Sequence, residues 1–94
     1  MSGKRIEWDE AKNLRLKSER GLCFEDVENA IEQGRIIDDQ AHPDSAKRPN
    51  QRVLVVEIDD YVCLVPYVVN GETAFLKTIF RSRKANRHYR KESI

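Results

Sequence analysis

The stretch RVLVVEIDDYVCLVPYVVNGETAFLKTIF, residues 52–80, decides the fold. Apolar and β-branched residues dominate it, which is typical of strands. Two dipeptides, Asp59-Asp60 and Asn70-Gly71, interrupt it, and both favour the tight turns of hairpins. The sequence therefore predicts a three-stranded antiparallel meander. The predicted strands are 52–59, 61–69 and 73–80.

Strand alternation assigns the side chains of this meander to two faces. In the first strand we expect one face to carry Leu54, Val56 and Ile58. In the third strand we expect Ala74, Leu76, Thr78 and Phe80 on one face and Phe75, Lys77 and Ile79 on the other. Pro66 has no N–H to donate, so it predicts an irregularity in the middle strand.

A first helix is predicted over residues 9–20, ahead of the meander. Asp9 has the side chain of an N-cap residue, and Gly21 can end a helix in the left-handed conformation. The preceding residues 6–8 form a short strand or an extended lead-in. The buried side of this helix is expected to carry Trp8, Ala11 and Leu14, with Leu16 outside it.

A second amphipathic helix is predicted between Gly21 and Gly34, because apolar residues recur there at helical spacing. These apolar residues are Phe24, Val27, Ala30 and Ile31, and the outer face is acidic. A strand at 35–37 follows, and residues 38–51, DDQAHPDSAKRPNQ, lose the apolar periodicity. We expect this polar segment to be a long loop.

The order of elements, which is helix, helix, strand, meander and helix, defines an α+β fold class. We expect a twisted, mostly antiparallel sheet with its helices packed on one face. The other face would stay partly open between the long loop and the C-terminal helix, and a site is expected there. With 94 residues the chain can build one core, so residues 1–94 are predicted to form a single domain.

The C-terminal stretch TAFLKTIFRSRKANRHYRK, residues 73–91, concentrates positive charge in a chain whose net charge is +1. Its cations are Lys77, Arg81, Arg83, Lys84, Arg87, Arg90 and Lys91. Ser82 can cap a helix that begins at Arg83. Arg83 and Lys84 then lie in the first turn, where the helix dipole makes acidic residues the stabilising choice. This arrangement favours an anion-binding site, and a solvated surface helix is the alternative.

Several classes of protein are disfavoured by composition. No apolar run approaches the roughly 20 residues of a membrane helix, and the N-terminus lacks the apolar segment of a signal peptide, so we expect a cytoplasmic protein. Cys23 and Cys63 are too far apart in sequence for a metal knuckle and are expected to be free, buried thiols. Since no HExxH motif or compact His, Cys or carboxylate set occurs, neither a metal nor another cofactor is expected.

Four segments together resemble the BrnT family of bacterial toxins. They are IEWDEAK at 6–12, GLCFEDV at 21–27, VLVVEIDDYVCLVPYV at 53–68 and FLKTIFRSRKANRHY at 75–89. The resemblance covers nearly the full length and depends on the segments occurring in this order. The best matches to the family are Glu7-Trp8-Asp9, Lys12, Gly21, Phe24 and Ser82-Arg83-Lys84-Ala85 with Tyr89. The chain departs from it at Glu19-Arg20-Gly21, where members often have Lys-His-Gly, and at Arg87-His88, where an acidic residue is usual.

The resemblance implies a RelE-like fold and the toxin component of a type II toxin–antitoxin system. Such a toxin is a metal-independent endoribonuclease that cleaves RNA and thereby inhibits translation and growth. The implied partners are RNA and a cognate antitoxin, and the complex of toxin and antitoxin is expected to bind operator DNA. The departures leave open a second hypothesis, a non-catalytic domain that binds nucleic acid or only the antitoxin.

Metal-independent RNA cleavage requires a base for the 2′-hydroxyl, cations for the pentacoordinate phosphate and an acid for the leaving oxygen. The catalytic candidates are Arg83, Lys84, Lys77, His42 and Tyr67. The RNA-binding candidates are Arg52, Arg81, Arg87 and Lys12. Arg83 and Lys84 would stabilise the transition state, while His42, Tyr67 or a lysine of lowered pKa would transfer protons. For His42 the alternative is a loop histidine without a role, and for Tyr67 an ordinary strand aromatic.

Overall fold

A computed structural model describes residues 3–90 of the chain. Lys91, the last cation of the predicted basic cluster, lies outside the described residues. Three helices and an open, mostly antiparallel sheet of six strands form the predicted α+β fold within the range. The elements are β1 Arg5–Trp8, α1 Glu10–Arg20, α2 Phe24–Glu32, β2 Ile36–Ala41, β3 Gln51–Ile58, β4 Tyr61–Asn70, β5 Thr73–Leu76, β6 Phe80–Arg81 and α3 Arg83–Arg90.

The predicted meander is the centre of the sheet, whose strands lie in the order β1-β5-β4-β3-β2. β3, β4 and β5 are antiparallel neighbours, and β1 adds to β5 in parallel. Asp59 and Asp60 form the first hairpin turn with φ of 52° and 62°, the left-handed conformation that a type I′ turn requires. In the second hairpin Asn70 pairs with Thr73, so the turn is Gly71-Glu72, one residue later than predicted.

The prediction of one continuous third strand is wrong. β5 pairs with β4 as far as Tyr67, β6 resumes the pairing at Leu64, and residues 77–79 leave the ladder between them. The interruption lies opposite Pro66, which has no N–H and whose carbonyl accepts the N–H of Lys77 at 2.9 Å. The break reverses the alternation, so Ile79 is buried with Leu76 instead of facing away from it, and Phe80 is exposed.

The ends of α1 were predicted correctly, and its buried side was not. The Asp9 side chain accepts the N–H of Ala11, and Gly21 ends the helix in the left-handed conformation. Leu16 is 2% exposed and belongs to the core, whereas Leu14 is 58% exposed. Asn13 shares the buried side with Leu16 because its side chain bonds to polar groups of both helices.

β2 is longer than the strand predicted at residues 35–37. The strand continues to Ala41, so the segment predicted as a loop from Asp38 is shortened to residues 42–50. Residues 38–41, three of which are polar, form a strand because each pairs in register with β3, from Asp38 with Val55 to Ala41 with Arg52. The buried side of α2 is as predicted, with Phe24, Val27 and Ala30 in the core.

The prediction that all helices pack on one face of the sheet is wrong for α3. The core joins α1 and α2 to one face, which carries the predicted Leu54, Val56 and Ile58; this is the helix face. Register places Val55 and Leu64 on the opposite face, which we call the open face. The C-terminal helix α3 lies across part of the open face, and the Asn86 side chain there accepts the N–H of Val62 at 3.1 Å.

Candidate active site on the open face of the sheet

Two cavities lie on the open face, where a site was predicted. The first, the loop cavity, has a volume of about 240 Å³. Its lining residues are His42, Pro43, Gln51, Arg52, Val53, Pro66, Tyr67, Val68 and Lys77. Strand register directs Gln51, Val53, Pro66 and Val68 to the open face, so their side chains form an amphipathic floor. Four of the predicted site residues thus contribute to one concave surface.

Lys77 and His42 stand on opposite sides of this floor. Lys77 is exposed, and its Nζ lies 5.4 Å from the centre of the Phe75 ring, a cation–π contact that orients the ammonium group. His42 is half-buried, and its Nδ1 accepts the backbone N–H of Asp44 at 3.0 Å. In the neutral imidazole the proton must then be on Nε2, so the nitrogen that His42 offers to a ligand is a hydrogen-bond donor.

Arg52 and Tyr67 contribute to the wall of the loop cavity, while their functional groups turn towards the helix face. Asp39 receives both of them: Arg52 Nε donates at 3.1 Å, and the Tyr67 hydroxyl is 2.8 Å from each carboxylate oxygen. Burial, and then the hydrogen bond to Asp39, raises the pKa of Tyr67 to about 12. The guanidinium of Arg52 is therefore matched by a carboxylate, and Tyr67 stays protonated near neutral pH.

The second cavity, the helix cavity, lies between α3 and the sheet and has a volume of about 230 Å³. Its lining residues are Gln40, Val55, Leu64, Ser82, Lys84, Ala85, His88 and Tyr89. Val55 and Leu64 pair across β3 and β4 and form its apolar floor. Lys84 and His88 are one helical turn apart on α3 and both are exposed, so a cation and an imidazole stand at its rim.

Side-chain hydrogen bonds attach α3 to the open face. The Tyr89 hydroxyl donates to Asp38 at 2.9 Å and accepts from Gln40 Nε2 at 2.8 Å. Arg90 Nη1 bonds to Glu57 at 2.8 Å. The predicted Ser82 cap is confirmed, with the Ala85 N–H donating to its hydroxyl at 3.0 Å.

The two cavities are neighbours. Gln40 of the helix cavity is directly opposite Val53 of the loop cavity in the β2–β3 ladder. Along β4, Leu64 of one cavity and Pro66 of the other are two residues apart on the same face, which is about 7 Å. An extended ligand lying along β4 would therefore pass over both cavities, whose linings carry His42 and Lys77 in the first and Lys84 and His88 in the second.

The remaining predicted cations do not all converge on these cavities. Arg81 pairs opposite Cys63 on the helix-face side, and its guanidinium donates to the carbonyl of Arg20 at 2.7 Å, capping the end of α1. Lys12 lies on α1 and so in the layer on the other side of the sheet. Arg83 and Arg87 are exposed on α3, beside Lys84 but outside the lining of either cavity.

The sequence reasoning missed His88 and Gln40 as site residues. The spacing of Lys84 and His88, four residues apart in a predicted helix, would have placed them on one side of α3. No sequence pattern identifies Gln40 as a site residue, because residues 38–41 look like a polar loop until their pairing with β3 is known.

Cys23 and Cys63 are free thiols, as predicted, with Cys63 buried and Cys23 half-buried. Within residues 3–90 no three His, Cys, Asp or Glu side chains group in a way that could hold a metal ion. The helices of this range are all too short or too polar to cross a membrane.

Comparison with known proteins identifies a family. The family model described as "Domain of unknown function (DUF4258)" matches residues 14–81. The match includes every strand from β2 to β6 and ends before α3. No curated protein and no solved structure matches the chain. The RelE-like character of the fold stays a prediction.

Proposed function

The chain belongs to the DUF4258 family, and because the family description names no activity, we propose a function from the site: a metal-independent endoribonuclease. In this proposal it is the toxin component of a type II toxin–antitoxin system. It acts in the cytoplasm, cleaves RNA and so inhibits translation and growth. A cognate antitoxin neutralises it, and the complex binds operator DNA.

One observation carries the proposal. Two adjoining cavities on one sheet face each combine a histidine with a lysine, His42 with Lys77 and Lys84 with His88. RNA cleavage through the 2′-hydroxyl needs two proton-transfer groups on either side of a phosphate, together with positive charge that stabilises the pentacoordinate phosphate. The open face supplies groups of all these kinds within the reach of one extended strand.

We assign roles to these residues as follows. The scissile phosphate lies where the cavities meet, with Lys77 and Lys84 as its cationic ligands. The imidazole of His88 takes the proton of the 2′-hydroxyl, and His42 gives its Nε2 proton to the leaving 5′-oxygen. His88 then releases its proton to water, from which His42 is reprotonated. The Tyr67 hydroxyl of β4 holds the Asp39 side chain of β2 in place and transfers no proton.

The basic surface of α3 supports the proposed partner. Arg83, Lys84 and Arg87 are exposed together on this helix. An acidic segment of an antitoxin that covers α3 and the open face would neutralise these charges and block both cavities. Binding of this kind is weakened by high salt.

The experiment is incubation of the purified protein with single-stranded RNA in EDTA. We expect cleavage in EDTA, and we expect His42→Ala to reduce its rate by about 10²-fold or more. Lys77→Ala should reduce the rate as well, and Lys47→Ala, which removes an exposed lysine of the loop after β2, is its matched control. If the folded wild-type protein cleaves no RNA, the proposed enzyme is wrong. If Lys47→Ala is as damaging as Lys77→Ala, Lys77 has no specific role in the cleavage.

The same exposed cations on α3 also favour a second function, binding of nucleic acid without cleavage. Phosphate contacts alone supply most of the affinity of non-specific binding. A gel shift that weakens with salt while the RNA stays intact would support this function, or that of a degenerate toxin that binds only its antitoxin.

A further inference from the structure

One polar atom of the Gln40 side chain is available to bind a ligand. Its Nε2 donates to Asp38 Oδ2 at 3.0 Å and to the Tyr89 hydroxyl at 2.8 Å. A carboxylate only accepts, so the amide nitrogen has to face Asp38 and the orientation of the amide is determined by its neighbours. Both N–H groups are committed, and the group that Gln40 can offer in the helix cavity is its carbonyl oxygen, Oε1.

The cavity around Gln40 has the size and lining of a site for one flat, partly polar group. Its volume of about 230 Å³ is below the roughly 300–1,000 Å³ typical of sites for drug-sized ligands. Leu64 provides an apolar floor, with Val55 buried beside it, and Lys84 stands at the rim, where it can bind a phosphate. Bases of single-stranded RNA are recognised in this way, by contact with their flat faces and hydrogen bonds to their edges.

We propose that the helix cavity binds the nucleobase next to the scissile phosphate and selects adenine or cytosine through the amino group at N6 or N4. At the corresponding position of the pairing edge, guanine and uracil present a keto oxygen, O6 or O4. Gln40 Oε1 accepts a hydrogen bond from the amino group, and it repels a keto oxygen because both are acceptors. This inference rests on the proposed function for its RNA ligand and deepens it by naming the base.

The test compares cleavage of RNA oligonucleotides that differ only in the base beside the cleaved bond. We expect kcat/KM to be about fivefold higher or more for adenine and cytosine than for guanine and uracil. Gln40→Met, which keeps the length of the side chain and removes Oε1, should bring the four rates together. Gln33→Met, at an exposed glutamine after α2, should leave the preference unchanged.

A second readout separates this inference from the proposed function. Binding of 2′-deoxy dinucleotides, which lack the attacking hydroxyl, is followed by NMR shifts of the amides of residues 40, 88 and 89. Cleavage without base preference, or a preference that survives in Gln40→Met, would overturn the inference and leave the ribonuclease intact. Base-selective binding without any RNA cleavage would overturn the ribonuclease and leave the base site. If neither selective binding nor cleavage occurs, both are wrong.

Discussion

The Tyr67 hydroxyl lies 2.8 Å from both carboxylate oxygens of Asp39 and ties the middle of the sheet to its edge. Arg52 donates to the same carboxylate, so side chains of β2, β3 and β4 meet at one point behind the loop cavity. Since the pKa of Tyr67 is raised to about 12, its hydroxyl is a donor throughout the neutral range. The bond therefore stabilises the wall of the cavity and does not supply a base.

Tyr67→Phe is expected to lower the free energy of unfolding by about 1.5–3 kcal/mol, the usual contribution of a hydrogen bond to a charged group. RNA cleavage in EDTA should persist, with an unchanged pH profile, because the hydroxyl transfers no proton. Urea unfolding and the cleavage assay measure the two effects. Tyr61→Phe, the same change at a half-buried position of the same strand, is the control. Loss of cleavage in a Tyr67→Phe protein of normal stability would restore Tyr67 as a catalytic residue.

The meander could be predicted from the sequence because its signals are local. The alternation of side chains along a strand, turn dipeptides and a proline each act within a few residues. These signals predicted β3, β4 and the two hairpins. The positions of Leu14 and Ile79 could not be predicted in this way. Burial of Asn13 in place of Leu14 depends on partners in α2, and burial of Ile79 depends on how the chain leaves the ladder opposite Pro66.

The candidate site was predictable in part for the same reason. His42 and Lys77 were selected by residue type and by the expected open face, and both line the loop cavity. The sequence could not reveal that Arg81 turns to the end of α1 or that Asp39 engages Arg52, because these contacts join residues far apart in the chain. The charge of a side chain alone does not show whether it is available to bind a phosphate or is already hydrogen-bonded to another group of the protein.

The pair Arg83 and Lys84 should matter for function and little for folding. Both are exposed at the start of α3, where cations oppose the helix dipole, so Arg83→Ala/Lys84→Ala should leave the stability equal or slightly higher. We expect this double variant to lose growth inhibition and to cleave RNA at least about 10²-fold more slowly. Circular dichroism and thermal unfolding show whether it is folded.

The matched control for this double variant is Arg15→Ala/Lys17→Ala. It removes the same charge from exposed positions of α1, in the layer on the other side of the sheet. Equal loss of toxicity in the two double variants would mean that overall charge matters and the position of α3 does not. Full toxicity of a folded Arg83→Ala/Lys84→Ala protein would remove these residues from the mechanism.

Asn13 joins the two N-terminal helices through buried hydrogen bonds. Its side chain donates to Glu10 at 3.0 Å and to Glu25 at 2.8 Å, and it accepts the N–H of Phe24 at 2.7 Å. Asn13→Ala leaves that buried N–H unpaired, so we expect the free energy of unfolding to fall by about 2–4 kcal/mol. Asn29→Ala, at an exposed position of α2, should change it by less than about 0.5 kcal/mol.

Asn13→Ala should also change the pKa of Glu25, which a loss of stability alone would not do. The hydrogen bond from Asn13 is the main cause of the lowered pKa of Glu25. In Asn13→Ala this pKa should rise towards its ordinary value of 4.5, as measured by NMR titration of the carboxyl group. An unchanged pKa in a folded Asn13→Ala protein would contradict the bond.

The attachment of α3 should depend on pH through Asp38. Hydrogen bonds from Tyr89, from the backbone N–H of Asp39 and from Gln40 lower the pKa of Asp38 below its ordinary 3.8. A carboxylate whose pKa is lowered by folding stabilises the fold fully above its unfolded pKa, and the contribution is lost as the pH falls through the folded value. We therefore expect the contribution of Asp38 to the attachment of α3 to be lost only below pH 3.8 and to be constant between pH 5 and 8.

Tyr89→Phe tests this attachment directly, because it removes the hydroxyl that is the largest cause of the lowered pKa. The pKa of Asp38 should rise towards 3.8, and the amides of α3 should exchange with solvent faster at neutral pH while those of β3 and β4 do not. NMR titration and hydrogen exchange on the two proteins measure both effects. Because Gln40 also loses a partner, the preference for adenine and cytosine should weaken as well. Unchanged exchange in α3 would mean that the Arg90–Glu57 and Asn86–Val62 contacts hold the helix without Tyr89.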